Sequence, residues 1–178
     1  MKIVAIDTYP LVLPVKEIYG GAAGFLEDCR SLVVRAQTDD GTEGWGEATQ
    51  GRPGNTYETL ETMELMAQRY FAPALVGMDL EEIGAVIIKL QRVRYGHPIT
   101  KAAIETALFD ALGKIYRVPL CRFFGGPYRR DIDLTGGLGL DLDPEQIAAR
   151  ARQLKEQGFT IFKVKIGQQD QQKDIARV

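Results

Sequence analysis

The sequence predicts two parts: an α+β domain, in which a three-stranded antiparallel meander is followed by helices, and then the first units of a βα series. Three runs of alternating apolar residues occupy residues 2–48, and the hairpin-type pair Asp40-Gly41 separates the second run from the third. Apolar residues then recur at helical spacing as far as Tyr116. From Arg130 the pattern becomes strand, helix, strand, which indicates parallel pairing through a right-handed crossover.

Composition excludes several classes of protein. The chain has 178 residues, of which 45% are hydrophobic and 26% charged, as expected for a soluble protein with a real core. Its net charge is −2 and no basic stripe occurs, which argues against nucleic acid as a partner. No apolar run approaches membrane-spanning length, and Met1-Lys2 leads directly into a strand pattern rather than a signal-peptide core. Cys29 and Cys121 are isolated, so we expect reduced thiols in a cytoplasmic protein without a membrane partner.

The predicted meander contains three strands, which are bounded by prolines, a turn and glycine-bearing loops. The strands are expected at residues 2–15, 30–38 and 42–48. Pro10 and Pro14 bend the far end of the first strand. Glycine-bearing loops are expected at residues 17–24 and 50–54, and Trp45 of the third strand is expected to be buried between sheet and helices.

Three helices are predicted after the sheet. Asn55 and Glu58 have the spacing of a capping box for the first helix, and Asp79 begins the second. His97 precedes Pro98 at the start of the third, where helix capping is a better interpretation than catalysis. The small residues of this third helix, Ala102, Ala103, Ala107 and Ala111, predict close packing against a neighbour.

The second part contains one complete βαβ unit. Its first strand is predicted at residues 132–135 and its second at residues 160–166. Between them a helix is marked by Asp143 as the N-cap, Pro144 at the first position and Gln146 completing a capping box. Residues 170–178 are expected to begin the next helix.

Two lysines one residue apart carry the strongest chemical signal. In a strand, Lys163 and Lys165 emerge on one face, while Phe162, Val164 and Ile166 emerge on the other. Desolvated ammonium groups at that separation make each other's protonation costlier, which suits a lysine that acts as a base. Taken alone, the pair also fits an edge strand that carries lysines to discourage aggregation.

Five motifs, the last of which contains the lysine pair, follow one another in a defined order and extend over nearly the whole chain. The motifs are Gly44-Trp45-Gly46-Glu47, Ala103-Ile104-Glu105, Asp110-Ala111-Leu112-Gly113-Lys114, Phe124-Gly125-Gly126 and Phe162-Lys163-Val164-Lys165. In this order the chain resembles the enolase superfamily, and within it the muconate cycloisomerase and mandelate racemase branches.

The resemblance implies a capping domain at residues 1–125 and the start of a TIM-like (β/α) barrel at residues 126–178, with the barrel incomplete in this chain. Enolase-superfamily sites use a lysine or histidine base together with Mg²⁺ that stabilises an enediolate. By this resemblance Lys165 removes a proton α to a carboxylate, and Lys163 assists it and helps to neutralise substrate charge. The full-length parent would be an isomerase or lyase: a racemase, epimerase, cycloisomerase or dehydratase.

The resemblance also implies contacts with a small carboxylate substrate. Thr135, at the end of the first predicted barrel strand, fits either a substrate contact or a strand-end cap. The glycine-bearing stretches at residues 18–25 and 50–55 correspond to regions that close over substrate in the family, and they supply Ile18, Tyr19, Gly20, Phe25 and Arg52. The full-length parent is expected to be a homo-oligomer.

The family's Mg²⁺ ligands come from later barrel strands, so we expect no metal ligand in this chain and no turnover by the chain alone. Residues 130–178 are far fewer than the roughly 250 of a typical barrel. The alternative function is a non-catalytic binding or assembly module that retains only the capping fold. The lysine pair favours the enzyme, because a separate cap has no use for it.

Overall fold

The computed structural model describes residues 1–21, 24–51, 57–140, 142–167 and 171–178, and only the backbone of residues 17–21 and 24–26. The chain forms two compact units. The first contains Met1–Pro14, Asp28–Gly51 and residues 57–127, and the second contains Val15–Glu27 and Tyr128–Val178. The predicted division into residues 1–125 and 126–178 stays a prediction.

The first sheet is the predicted three-stranded antiparallel meander. Its strands are β1 (Ile3–Gly21), β2 (Gly24–Thr38) and β3 (Glu43–Thr49), in the order β1-β2-β3. The turn between β2 and β3 is held by the carboxylate of Asp40, which accepts hydrogen bonds from the hydroxyl of Thr38 at 2.6 Å and the amide of Thr42 at 3.1 Å. Gly41 has φ +84°, a left-handed conformation that glycine adopts without steric cost.

The loop predicted at residues 17–24 is wrong where the structure describes it. β1 continues to Gly21 and β2 already begins at Gly24, while Ala22 and Ala23 lie outside the described residues. Glycine weakens a strand by its conformational entropy, but each residue of a long hairpin also gains backbone hydrogen bonds. In this hairpin the free energy gained from strand pairing outweighs the entropic cost of ordering the glycines.

Helices cover one face of the meander, as predicted. Their bounds are α1 (Leu60–Met66), a π-helical turn (Ala67–Phe71), α2 (Ala72–Leu75), a 3₁₀ turn (Leu80–Glu82), α3 (Ile83–Val93), α4 (Pro98–Tyr116) and a second 3₁₀ turn (Leu120–Phe124). The core beneath them includes Ile3, Leu32, Val34, Met63, Phe71, Leu75, Leu80, Leu90, Ile104 and Leu108.

Two glycines of β3 allow α4 to lie directly on the sheet. A Cβ placed on Gly44 would lie 2.0 Å from the carbonyl oxygen of Ala107, and one on Gly46 would lie 2.0 Å from that of Ala103. Residues 44 and 46 share one face of a strand, and residues 103 and 107 share one face of a helix. The two small-residue patterns therefore meet backbone to backbone, as the alanines of this helix predicted.

The prediction that Trp45 is buried is wrong, because strand alternation turns it away from α4. Its side chain is 42% exposed. It stacks on Tyr9 with ring centroids 5.9 Å apart, and the guanidinium of Arg35 lies 5.8 Å from its ring. Gly44 and Gly46 occupy the helix-facing positions instead.

The capping prediction at the first helix is also wrong. Thr59 is the N-cap of α1 and forms a capping box with Thr62, while Asn55 lies outside the described residues. Glu58 is buried and serves α4 instead: its carboxylate accepts hydrogen bonds from the amides of Ile99 at 2.8 Å and Thr100 at 3.1 Å. His97 occupies the N-cap position of α4, but its side chain makes no capping hydrogen bond, because Glu58 takes that role.

The second unit contains the predicted βαβ arrangement. Parallel strands β4 (Thr135–Leu138) and β5 (Ile161–Val164) are joined through α5 (Pro144–Glu156), and α6 (Gln171–Arg177) follows. The predicted capping box is confirmed, since the carboxylate of Asp143 accepts from the amide of Gln146 at 2.8 Å and Pro144 begins α5.

The position predicted for the first barrel strand is wrong by about one strand length. Residues 132–135 were expected, but Ile132 and Leu134 are highly exposed and β4 begins only at Thr135. The glycines at 136 and 137 concealed the strand from pattern analysis. Gly136 is buried because its missing side chain lets Leu154 and Phe162 approach, at 3.0 and 3.3 Å from where its Cβ would lie.

No helix in the part of the chain that the structure describes is both long enough and apolar enough to cross a lipid bilayer.

Candidate active site

The lysine pair lies at the carboxyl end of β5. Lys163 is exposed and Lys165, which follows the last residue of the strand, is partly buried. The alternation of the strand places Lys163 on the face opposite Phe162 and Val164, and Lys165 follows the last strand residue. In barrels of this type, reacting groups lie at the carboxyl ends of strands, so the pair occupies a suitable position.

The opposite face of β5 is held by a small apolar core. Phe162 and Val164 pack against the buried cluster of Leu138, Ile147 and Leu154, which belongs to β4 and α5. Ile166 was expected on this packed face, but β5 ends at Val164 and Ile166 is 60% exposed. The core therefore fixes the strand only up to the position between the two lysines.

Strand β4 pairs with the backbone of both lysines. Lys163 lies directly opposite Gly137, and the backbone amide of Lys165 donates a hydrogen bond to the carbonyl of Leu138 at 3.1 Å. The parallel ladder thus extends one step beyond the strand and includes the backbone of Lys165. Since Gly137 has no side chain, the position across from Lys163 carries none.

A buried arginine holds the segment that follows β4. The guanidinium of Arg177 donates hydrogen bonds to the carbonyl oxygens of Gly139, Leu140 and Leu142, at 2.9 Å in the case of Leu140. Arg177 is 4% exposed although it belongs to a short helix. The neighbouring turn of α6 is tied to the end of the lysine strand, because Asp174 accepts a hydrogen bond from the amide of Gly167 at 2.8 Å.

The structure describes the other predicted site residues only in part. Thr135 lies at the amino end of β4 rather than at a carboxyl end, so the positional reason for proposing it no longer applies. Its role as a substrate contact stays a prediction. The backbone of Ile18, Tyr19 and Gly20 forms the last part of β1, and Phe25 follows the first residue of β2. The side chains of Ile18, Tyr19 and Phe25, and the whole of Arg52, lie outside the described part of the chain.

The described residues do not fit a divalent metal. Among them, no three His, Cys, Asp or Glu side chains come together as ligands would. Mg²⁺ requires several oxygen ligands in near-octahedral arrangement. Asp143, one of the acids of this region, is engaged as the N-cap of α5. We therefore assign no metal ligand and no metal-dependent step to these residues.

The comparison with known families decides the relationship. Residues 11–125 match the model of the mandelate racemase / muconate lactonizing enzyme N-terminal domain. The chain belongs to this family. The match begins within β1 and covers the rest of the meander, the helices of the first unit and the turn before the second unit. Together with the solved structures described below, it confirms the predicted resemblance and fold class.

Relatives within the family carry several different activities. The chain is 32% identical to the L-Ala-D/L-Glu epimerase of Bacillus subtilis, over all of this chain and 48% of that protein. It is also 32% identical to the N-succinyl-L-Arg/Lys racemase of Bacillus cereus, over all of this chain and 47% of that protein. Muconate cycloisomerase 1 of Rhodococcus opacus is 31% identical, again with 48% of its length covered.

Solved structures of the family agree with the sequence matches. The crystal structure of the Bacillus cereus racemase superposes with a TM-score of 0.92 at 31% identity, over all of this chain and 47% of that one. A substrate-liganded complex of the Bacillus subtilis epimerase gives a TM-score of 0.91, also at 31% identity, over 99% of this chain and 48% of that one. The chain spans about half the length of the curated relatives it matches.

The lysine pair is visible in the sequence, whereas the burial of Arg177 is not. A lysine pair at strand spacing is visible because both cations share one face. An arginine in a helix of seven residues gives no such signal, since most arginines in that setting are exposed. Only the structure shows that this one is buried against backbone carbonyls.

Proposed function

We propose that the chain is the N-terminal portion of an enzyme that removes a proton α to a carboxylate, with Lys165 as the base. The observation that supports this most is the position of the two lysines. Lys163 lies on the face of β5 that is not packed against α5, and Lys165 follows at the carboxyl end of that strand, where reacting groups of barrels lie. A second ammonium group on that face would also attract a substrate carboxylate.

The substrate class is proposed from the named relatives. Epimerases of dipeptides and racemases of N-succinyl amino acids act on small molecules that carry a carboxylate, and several such relatives match the whole chain. The hairpin end, Val15–Glu27, belongs to the same compact unit as the lysines. This supports Ile18, Tyr19, Gly20 and Phe25 as residues that meet the substrate, with Thr135 and Arg52 as further candidates.

Mg²⁺ is proposed for the full-length protein only. One similar structure, a dipeptide epimerase from Cytophaga hutchinsonii, is a complex with Mg and a dipeptide. The ion would stabilise the negative charge that develops on the substrate carboxylate when the proton leaves. Its ligands would come from outside this chain, so we propose that the chain by itself is inactive. A cytoplasmic homo-oligomer is proposed for the full-length protein.

Solvent isotope exchange tests the function directly. The full-length protein is incubated with Mg²⁺ in D₂O with three substrate types: dipeptides, N-succinyl amino acids and muconate. Exchange of the α-proton for deuterium in any amino-acid substrate, or metal-dependent lactonisation of muconate, supports the proposal. The absence of both from a folded full-length protein would reject these substrate classes, and an intact mass too small for a complete barrel would favour the alternative, a non-catalytic module that retains only the capping fold.

A further inference from the structure

Arg177 makes contacts that a surface arginine does not make. It is 4% exposed, and its guanidinium donates hydrogen bonds only to backbone carbonyls, those of Gly139, Leu140 and Leu142, among the contacts described. Burying a guanidinium is costly unless its donors are paired; both terminal nitrogens of Arg177 are paired in this way, while its Nε has no hydrogen-bond partner among the described residues. A planar guanidinium that donates hydrogen bonds to three carbonyls of one short segment fixes the backbone path of that segment, because each hydrogen bond constrains a different peptide group.

The segment that Arg177 holds begins one residue from the backbone contact of Lys165. The carbonyl of Leu138 accepts the amide of Lys165 at 3.1 Å, and the carbonyl of the next residue, Gly139, accepts from Arg177. Gly139 is buried, so its carbonyl has little access to water if the arginine is lost. A shift of this segment would therefore displace the strand end against which the Lys165 backbone is paired.

We propose that Arg177 is a positioning residue, which holds the segment after β4 and so keeps Lys165 aligned with the substrate. This inference rests on the proposed function. Arg177 touches neither lysine in the contacts described, so its effect is indirect. Displacing a reacting group by about 1 Å costs on the order of 100-fold in rate. Lysine at this position keeps the charge but lacks the planar fork, so it cannot serve the three carbonyls in the same way.

The test uses Arg177→Lys and Arg177→Met in the full-length protein, with Arg152→Met as the matched control. Arg152 is an exposed arginine of α5 in the same unit. Amide hydrogen exchange in peptides covering residues 138–142 is measured first, because it requires no substrate. We expect exchange to accelerate about tenfold or more in both Arg177 variants, as a local opening equilibrium would produce, and to remain unchanged in Arg152→Met.

Turnover of the folded protein is measured next. We expect kcat for α-proton exchange to fall about 100-fold in Arg177→Lys with KM changed less than threefold, and to stay within twofold of wild type in Arg152→Met. Unchanged amide exchange, or a wild-type kcat per folded molecule in both Arg177 variants, would overturn the proposal. A wild-type protein without α-proton exchange would instead reject the proposed function. Amide exchange would then still show separately whether Arg177 holds the segment.

Discussion

Lys163 of β5 lies directly opposite Gly137 of β4 in the parallel ladder. Neighbouring positions on one face of a sheet carry side chains that touch, so the position paired with Lys163 contributes no side chain to that contact. The backbone of Gly137 is not in the left-handed region, so a side chain can be added there without backbone strain. This relationship makes the space beside Lys163 accessible to experiment.

The first prediction concerns that space. Gly137→Val in the full-length protein should leave the fold intact, because valine suits a strand, but should lower kcat/KM about tenfold or more by filling the side of Lys163 where substrate would lie. Steady-state kinetics and circular dichroism of the same sample check it. Full activity in the folded variant would show that the substrate does not approach Lys163 from this side.

The second prediction concerns the contact of β3 with α4. Gly46→Ala places a Cβ 2.0 Å from the carbonyl oxygen of Ala103 and 2.8 Å from the amide of Ala107, so backbone must move. We expect the free energy of unfolding to fall by about 1–3 kcal/mol or more. Gly84→Ala is the control, because its new methyl group meets nothing within 4 Å in α3 and should stabilise by about 0.5–1 kcal/mol. Equal urea midpoints for the two variants would contradict the packing described.

The third prediction concerns the buried carboxylate at the start of α4. Glu58→Gln replaces charge-assisted hydrogen bonds from Ile99 and Thr100 with neutral ones and turns one acceptor into a donor. Urea unfolding should show a loss of about 1–3 kcal/mol. Glu156→Gln, at an exposed residue of α5, is the control and should change the free energy of unfolding by less than about 0.5 kcal/mol. A Glu58→Gln variant as stable as the control would mean that α4 does not depend on this cap.

The fourth prediction concerns pH and the hairpin turn. Hydrogen bonds from Thr38, and then from the amide of Thr42, hold the pKa of Asp40 below its ordinary value of 3.8. A carboxyl group whose pKa is lowered by folding stabilises the fold above the unfolded pKa, and this stabilisation is lost as pH falls through the folded pKa. Asp40→Asn should therefore be less stable than wild type at pH 7, and the difference should disappear below pH 3.8. The exposed residue Asp131 supplies the control Asp131→Asn. A stability difference for Asp40→Asn that is independent of pH would contradict the role of the charge.

The parts of the fold with local chemical signals could be predicted from the sequence. The turn at Asp40-Gly41 and the cap formed by Asp143, Pro144 and Gln146 each depend on residues within a few positions of one another, and all are present as expected. The close packing of α4 was also predictable, although its partner was not, because alanines four positions apart place small side chains on one helix face and let a neighbouring backbone approach.

The parts that depend on distant partners could not be predicted. Trp45 was placed on the wrong face because nothing near it in sequence shows that Gly44 and Gly46 meet α4. β4 was missed at its two glycines because its register is set by pairing with β5. Arg177 lies 38 positions from the carbonyl of Gly139 that it binds, and no local pattern connects them.

The candidate site divides in the same way. The spacing of Lys163 and Lys165 was readable from the strand pattern, and the structure adds the core behind them and the backbone bond from Lys165 to Leu138. Their chemical role came from the resemblance to the family rather than from spacing. No metal ligand set was derivable from the sequence, and among the described residues no three His, Cys, Asp or Glu side chains come together.

If Lys165 is the base that removes the α-proton, its loss must abolish α-proton exchange with solvent. Full-length wild type, Lys165→Ala and the control Lys155→Ala, an exposed lysine of α5, are compared in D₂O with an amino-acid substrate accepted by wild type. We predict that Lys165→Ala loses about 100-fold to 10,000-fold in exchange rate while retaining the wild-type circular dichroism spectrum, and that Lys155→Ala exchanges normally. Exchange by folded Lys165→Ala at the wild-type rate would show that Lys165 is not the base.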